Sequence, residues 1–239
     1  MPAQRQPPER RSFRREPEEK RRGALIAAAQ SLVAAGGPQA ATVRAIAERA
    51  GVTAGLIRHY FQTKEDLTRA AYLALMDGMT DANSAVLEMV GDDPELRLAV
   101  FVAASLRPPV MAGDRVGIWA GFLHSVQQDP ALLEAHEAGY LGYRDTLECL
   151  IAALERPAIP AQLRIDAIAC NAVIDGLWLE GSIIPHAFGP EELPRIALQA
   201  IGAMLGIDLL SHAMVALNPT LTAPKPDADD TVPPEEFPE

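Results

Sequence analysis

TVRAIAERAGVTAGLIRHYFQTK, running from Thr42 to Lys64, is the stretch whose reading decides the fold of this chain. Val43, Ile46, Ala47 and Ala50 recur at helical spacing behind Thr42, a good N-cap residue, and predict a first helix of about two turns. Gly51 stands where that helix must stop, because a residue without Cβ accepts the positive φ of a sharp turn. Val52 plugs the turn and Thr53 is placed to cap a second helix. In it Leu56, Ile57 and Tyr60 face inward, while Ala54, Gly55, Arg58 and His59 face out. Ala47 is small where the two helices cross. The spacing predicts a helix-turn-helix, the motif whose second helix enters a DNA major groove. A plain helical corner in an all-α core would use similar residues. The coincidence of cap, small crossing residue, turn glycine and basic outer face favours the groove-reading motif.

Working outward, the 239 residues are 49% hydrophobic, with few aromatics and no run of alternating β-branched residues, which predicts an all-α chain able to bury a substantial core. No window has the uninterrupted apolar length of a membrane span, and the N-terminus is charged and proline-rich where a signal peptide would be apolar, so a cytoplasmic location is expected. The net charge of −11 argues against a polyanionic partner until its distribution is examined. Residues 1–75 hold 13 Lys or Arg against 7 Asp or Glu, and the remainder hold 8 against 25. A basic N-terminal module is thus joined to an acidic body, as expected of a DNA reader with a separate sensing and assembly part. Cys149 and Cys170 lie in apolar helical context and are expected to be reduced core residues.

Residues 1–17 combine prolines with Arg10, Arg11, Arg14 and Arg15, which predicts a flexible basic arm that either supplements DNA contacts or merely solubilises the chain. A helix over 18–35 then packs on the motif, completing a DNA-binding domain over 18–63. Further helices are predicted at 64–90, 94–106, 110–127, 130–154, 161–184 and 190–207, bounded by breaks at Gly91–Pro94, Pro108–Pro109 and Arg156–Pro160. These six, within 64–217, are read as a ligand-binding and dimerisation domain, giving about nine helices in all, and residues 218–239 as a disordered acidic tail. The 64–90 helix is shared by both domains and is the natural mechanical link. The eighth and ninth helices carry Ile165, Ile168, Val173, Leu177, Leu198, Ile201 and Leu205 over much of their circumference, which predicts burial on two sides and a homodimer formed through them. Two reading heads on a two-fold axis suit a palindrome.

Two stretches carry a resemblance to a known family. Ala45 to Leu67, AIAERAGVTAGLIRHYFQTKEDL, resembles the DNA-binding segment of the TetR family of transcriptional regulators. AVIDGLWLEG, Ala172 to Gly181, is similar to the C-terminal domain of the betaine-pathway repressor subgroup, the BetI-like proteins. On the residues themselves, Thr53, Ala54, Gly55, Arg58 and His59 form the face that reaches bases, with Arg58 able to bond guanine O6 and N7 together. Thr42, Tyr60 and Lys64 are placed to hold phosphates, with Arg44 flanking them, and the resemblance implies the same phosphate roles for the first three. It further implies a small-molecule effector whose pocket lies among the fourth to eighth helices. Candidate lining residues are Phe101, Trp119, Phe122, Tyr140, Tyr143, Asp175 and Trp178. For the quaternary ammonium that the subgroup suggests, choline being an example, Trp faces plus the carboxylate of Asp175 or Glu180 would be apt. The same aromatic residues would equally serve as ordinary core.

Catalysis and cofactors find no motif. His124, His136, His186 and His212 lie on different elements without metal-ligand spacing, and Glu134, His136 and Glu137 fit an exposed helix face. The expectation is therefore a ligand-responsive regulator, a repressor released from a palindromic operator, with no cofactor and no metal. The alternative is a helical dimerisation or adaptor protein with a degenerate helix-turn-helix and no specific DNA site.

Overall fold

A computed structural model describes residues 18–111, 114–157 and 159–217. The basic arm and the acidic tail predicted at the two ends lie outside the described residues. Ten α-helices follow one another: α1 (Glu18–Gly36), α2 (Val43–Arg49), α3 (Ala54–Tyr60), α4 (Lys64–Glu88), α5 (Pro94–Ser105), α6 (Arg115–Val126), α7 (Pro130–Ala152), α8 (Pro160–Ile183), α9 (Glu192–Leu205) and α10 (Leu209–Leu217). The described residues contain no strand. The described residues form two compact units, one within 18–81 and 114–142 and the other within 82–111 and 143–217, so that α4 and α7 contribute to both.

In the first unit α1 packs against α2 and α6. Leu25, Ala29 and Val33 of α1 meet Ile46 and Ala47 of α2, Ile57 of α3, Leu67, Ala71 and Tyr72 of α4, and Phe122 of α6 in one buried cluster. The α1–α6 crossing is close enough that a Cβ on Gly121 would lie 2.7 Å from Val33 Cγ1. The unit is thus larger than the three-helix module read from sequence. The start of α4 is tied to the start of α7 by Arg69, whose Nη2 donates to the Asp129 carboxylate at 3.0 Å. Asp129 also accepts from the Ala131 N–H, and these contacts with Arg69 and the backbone hold its carboxyl below the usual range against the opposing effect of desolvation.

In the second unit α5 packs against α9 and α10, and α8 against α9. Three differences from the sequence reading stand out here and nearby. Helix α6 begins at Arg115 rather than near Val110, since Leu106 to Met111 forms turns around the proline pair. A tenth helix follows α9: Gly206 at φ 73 ends α9, and the Asp208 carboxylate then accepts from the Ser211 N–H at 3.2 Å, capping α10 while Leu209 and Ala213 are buried. Cys149 is exposed rather than in the core, because Leu147, Leu150 and Ile151 take the buried side of α7; Cys170 is buried and its thiol is pushed up to about 12, first by desolvation.

Candidate nucleic-acid interface

The motif is built by caps. Thr42 adopts extended backbone, and its Oγ1 accepts from the Ala45 N–H at 3.2 Å, starting α2. At the other end Gly51 takes φ 65, the Gly51 N–H donates to the Glu48 carbonyl, and the Val52 N–H donates to the Ala47 carbonyl at 2.9 Å. The carbonyls left open by the helix end are thereby satisfied and the chain is turned into α3. Thr53 has N-cap backbone geometry, φ −84 and ψ 150, but its side chain makes no cap hydrogen bond, contrary to the cap role expected of it. The helix start is held instead by the Leu56 N–H donating to the Thr53 carbonyl at 3.0 Å.

Ile57 is buried and locks α3 onto the cluster. With that side fixed, Thr53, Ala54, Gly55, Arg58 and His59 are all exposed, as are Thr42 and Arg44, while Tyr60 and Lys64 are half-buried. The His59 and Tyr60 rings meet edge-on at 5.3 Å between centroids. Arg49, on the same motif, is turned away and serves the packing of the helices, since its Nη1 donates to Ser31 Oγ at 2.5 Å and pins α2 to α1. The corner between α3 and α4 is closed by a reciprocal cap in which Asp66 N–H donates to Thr63 Oγ1 and Thr63 N–H donates to Asp66 Oδ2, both at 3.0 Å. One helix therefore presents small, polar and basic side chains on a rigid base, the arrangement that can enter a groove and bond base edges.

The seven residues read as possible effector contacts divide between the units. Trp119, Phe122 and Tyr140 belong to the first, and Phe101, Tyr143, Asp175 and Trp178 to the second. In the first unit Phe122 is buried edge-on against Tyr72, and Tyr140 stacks near His136 at 5.3 Å. Sequence reading missed Tyr72 and placed His136 on an exposed face. His136 is half-buried instead, and its Nδ1 lies 2.6 Å from the Tyr72 hydroxyl. Burial lowers the histidine pKa and pushes the phenol up to about 12, so both rings are biased toward their neutral forms. In the second unit the Phe101 and Tyr143 rings are 5.0 Å apart beside Ser105. Ser105 Oγ donates to the Phe101 carbonyl at 2.9 Å and lies 2.7 Å from the Tyr143 hydroxyl, with Asn83 Oδ1 at 3.3 Å. Asp175 Oδ2 accepts from Asn171 Nδ2 at 2.8 Å, and Trp178 is buried. Asn83 and Ser105 gave no sequence signal beyond being polar residues at core spacing. Among the described residues no group of three or more His, Cys, Asp or Glu side chains is placed to hold a metal, and no helix is long and apolar enough to cross a membrane.

The family model for bacterial regulatory proteins of the TetR family matches residues 25–71, and that for the C-terminal part of BetI-type transcriptional repressors matches residues 94–206. The HTH-type transcriptional regulator BetI of Stenotrophomonas maltophilia is 30% identical over 66% of this chain and 79% of its own length. BetI 2 of Chromohalobacter salexigens is 30% identical over 66% and 75%. Among solved structures, a transcriptional regulator from Pseudomonas aeruginosa PAO1 superposes with a TM-score of 0.74 at 26% identity, covering 84% of this chain and 97% of that one. A regulator from Saccharomonospora viridis, solved in complex with choline, has the same fold, with a TM-score of 0.62 at 18% identity over 79% of this chain and 97% of that one. The chain is a ligand-responsive, DNA-binding transcriptional regulator and not an enzyme. It belongs to the TetR family, with a C-terminal part of the BetI type.

Proposed function

We propose that this regulator is a repressor that binds a palindromic operator as a homodimer and is released by a small cationic effector. The observation that carries the DNA part is the exposed face of α3, where buried Ile57 leaves Thr53, Ala54, Gly55, Arg58 and His59 outward. In this reading Arg58 bonds a guanine edge, Gly55 lets the helix lie close to the groove floor, and Thr53, Ala54 and His59 complete the base-facing set. Thr42, Arg44, Tyr60 and Lys64 hold phosphates and fix register. Residues 18–63 act as the DNA-binding part and 64–217 as the effector and assembly part.

The pairing is supported by α8. Ile165 (57% exposed), Ile168, Ala172, Gly176, Leu179 and Ile183 (61% exposed) recur every three or four residues and form one apolar stripe open to solvent. Met204 of α9 is likewise exposed. A stripe of this kind on an otherwise acidic body is best covered by a second copy, through an isologous contact of α8 and α9. For the effector, BetI-type similarity and the aromatic residues named above favour a quaternary ammonium, with choline the first compound to try.

Selection of bound duplexes from a random DNA pool, followed by titration of the complex with choline, tests the reading. An enriched inverted repeat that choline releases is the expected result. A complex untouched by choline removes the effector assignment alone, and the absence of any enriched site supports the adaptor alternative.

A further inference from the structure

We infer that Arg22, on α1, is a phosphate-binding residue of the DNA interface, held in place by the ring of Phe61. The inference rests on the DNA reading above and adds a contact outside it, since Arg22 precedes the first residue of the family match at 25–71. Its guanidinium carbon stands 5.1 Å from the centroid of the Phe61 ring. Phe61 is the first residue past the recognition helix and is itself buried, so its ring is a fixed floor. Arg22 is exposed, and none of the carboxylates of the described residues pairs with it.

The position of the guanidinium over the ring decides what the side chain can do. A guanidinium held over a ring by a cation–π contact still has N–H groups that do not face the ring and can bond the oxygens of an anion. A freely rotating surface arginine must lose rotamer freedom on such binding, and the ring removes part of that cost beforehand. The place is also apt. Phe61 lies between Tyr60 and Lys64, two residues assigned to phosphates, at the corner where α3 hands over to α4. Lys20 and Arg21 precede Arg22 in the same turn. Of the acidic groups on the starts of α1 and α4, Asp66 is engaged by the Thr63 N–H and by Arg69, while Glu65, Glu18 and Glu19 are exposed and form no ion pair with the guanidinium. The chemistry therefore fits the backbone of duplex DNA, contacted without reference to sequence.

The test compares the full chain with its Arg22→Gln, Arg22→Met and Arg22→Lys variants on a duplex carrying the enriched site and on a shuffled duplex of equal length. Loss of one phosphate contact per subunit makes the slope of log K against log salt shallower by about 0.9 for each chain bound. Arg22→Gln is expected to show that change and to weaken both duplexes about 3- to 10-fold at moderate salt, with base preference and melting temperature unchanged. Arg22→Met, which keeps an aliphatic cover on the ring, must lose the same slope, whereas Arg22→Lys keeps it. A wild-type slope in Arg22→Gln and Arg22→Met overturns the inference, whether or not melting shifts, because the residue then does no more than cover the ring. Wild-type chain that binds neither duplex overturns the DNA reading itself, a failure readily distinguished from the first.

Discussion

Helices α3 and α8 each bury one side and leave the other open, yet the open sides have opposite chemistry. On α3 the outward residues are Thr53, Ala54, Gly55, Arg58 and His59, whereas on α8 they are Ile165, Ile168, Ala172, Gly176, Leu179 and Ile183. Neither face is explained by the interior, since Ile57 and Trp178 already seat the two helices on their cores. An exposed face is shaped by what covers it: a polar and basic one by a polyanion in water, an apolar one by a surface like itself. Under the proposed function the two faces depend on each other, because a single short reading helix makes too few contacts to select a site, and pairing through α8 would double them.

The largest effect is expected from a charge placed in the apolar stripe. Ile168→Glu should turn the dimer into a monomer in sedimentation while leaving helical content intact, and should lower affinity for the enriched site by about 10³-fold or more, toward the non-specific level. A variant that stays dimeric and binds normally would assign the stripe to another partner. A smaller effect is expected at the turn that sets the angle of the reading face. Gly51 sits at φ 65 with open space where a Cβ would point, so Gly51→Ala meets only backbone strain and should cost about 1 kcal/mol in denaturant unfolding.

The smallest effect separates the reading face from the interior of its own unit. His136 has a pKa lowered chiefly by burial, with Glu137 opposing, so the folded chain keeps the imidazole neutral where the unfolded chain would take up a proton. Stability contributed in this way is complete above the unfolded value near 6.5 and declines as pH falls below it, until the lower native value is passed. Melting scans from neutral to mildly acid pH should show that decline, and His136→Gln should flatten it.

Much of the helix-turn-helix was legible in the sequence because its determinants are local. A cap, a turn glycine and two helical turns of apolar spacing lie within Thr42 to Lys64, and each acts on residues at most four or five positions away. What was misread depends on distant partners. Whether Cys149 faces in or out depends on which side of α7 its neighbours Leu147 and Ile151 occupy, and polarity alone could not put His136 beside a tyrosine 64 residues earlier. Likewise the packing of α6 on α1 joins residues about 90 positions apart, and it enlarges the first unit beyond any boundary marked by composition. Helix α10 was passed over because Asp208, its cap, closely follows the glycine that ends α9 and reads as part of the same stop.

Base reading by the outward side chains of α3 is the step on which the proposed function depends most. Duplexes selected from one random pool by the wild-type chain and by Arg58→Ala measure this. The expected result is an inverted repeat with wild type, and with Arg58→Ala a repeat that has lost its preference at one base pair in each half, with affinity for the original site reduced by about 1–3 kcal/mol per bidentate contact. The same site recovered with undiminished preference by both proteins, or no enriched site with either, would contradict it.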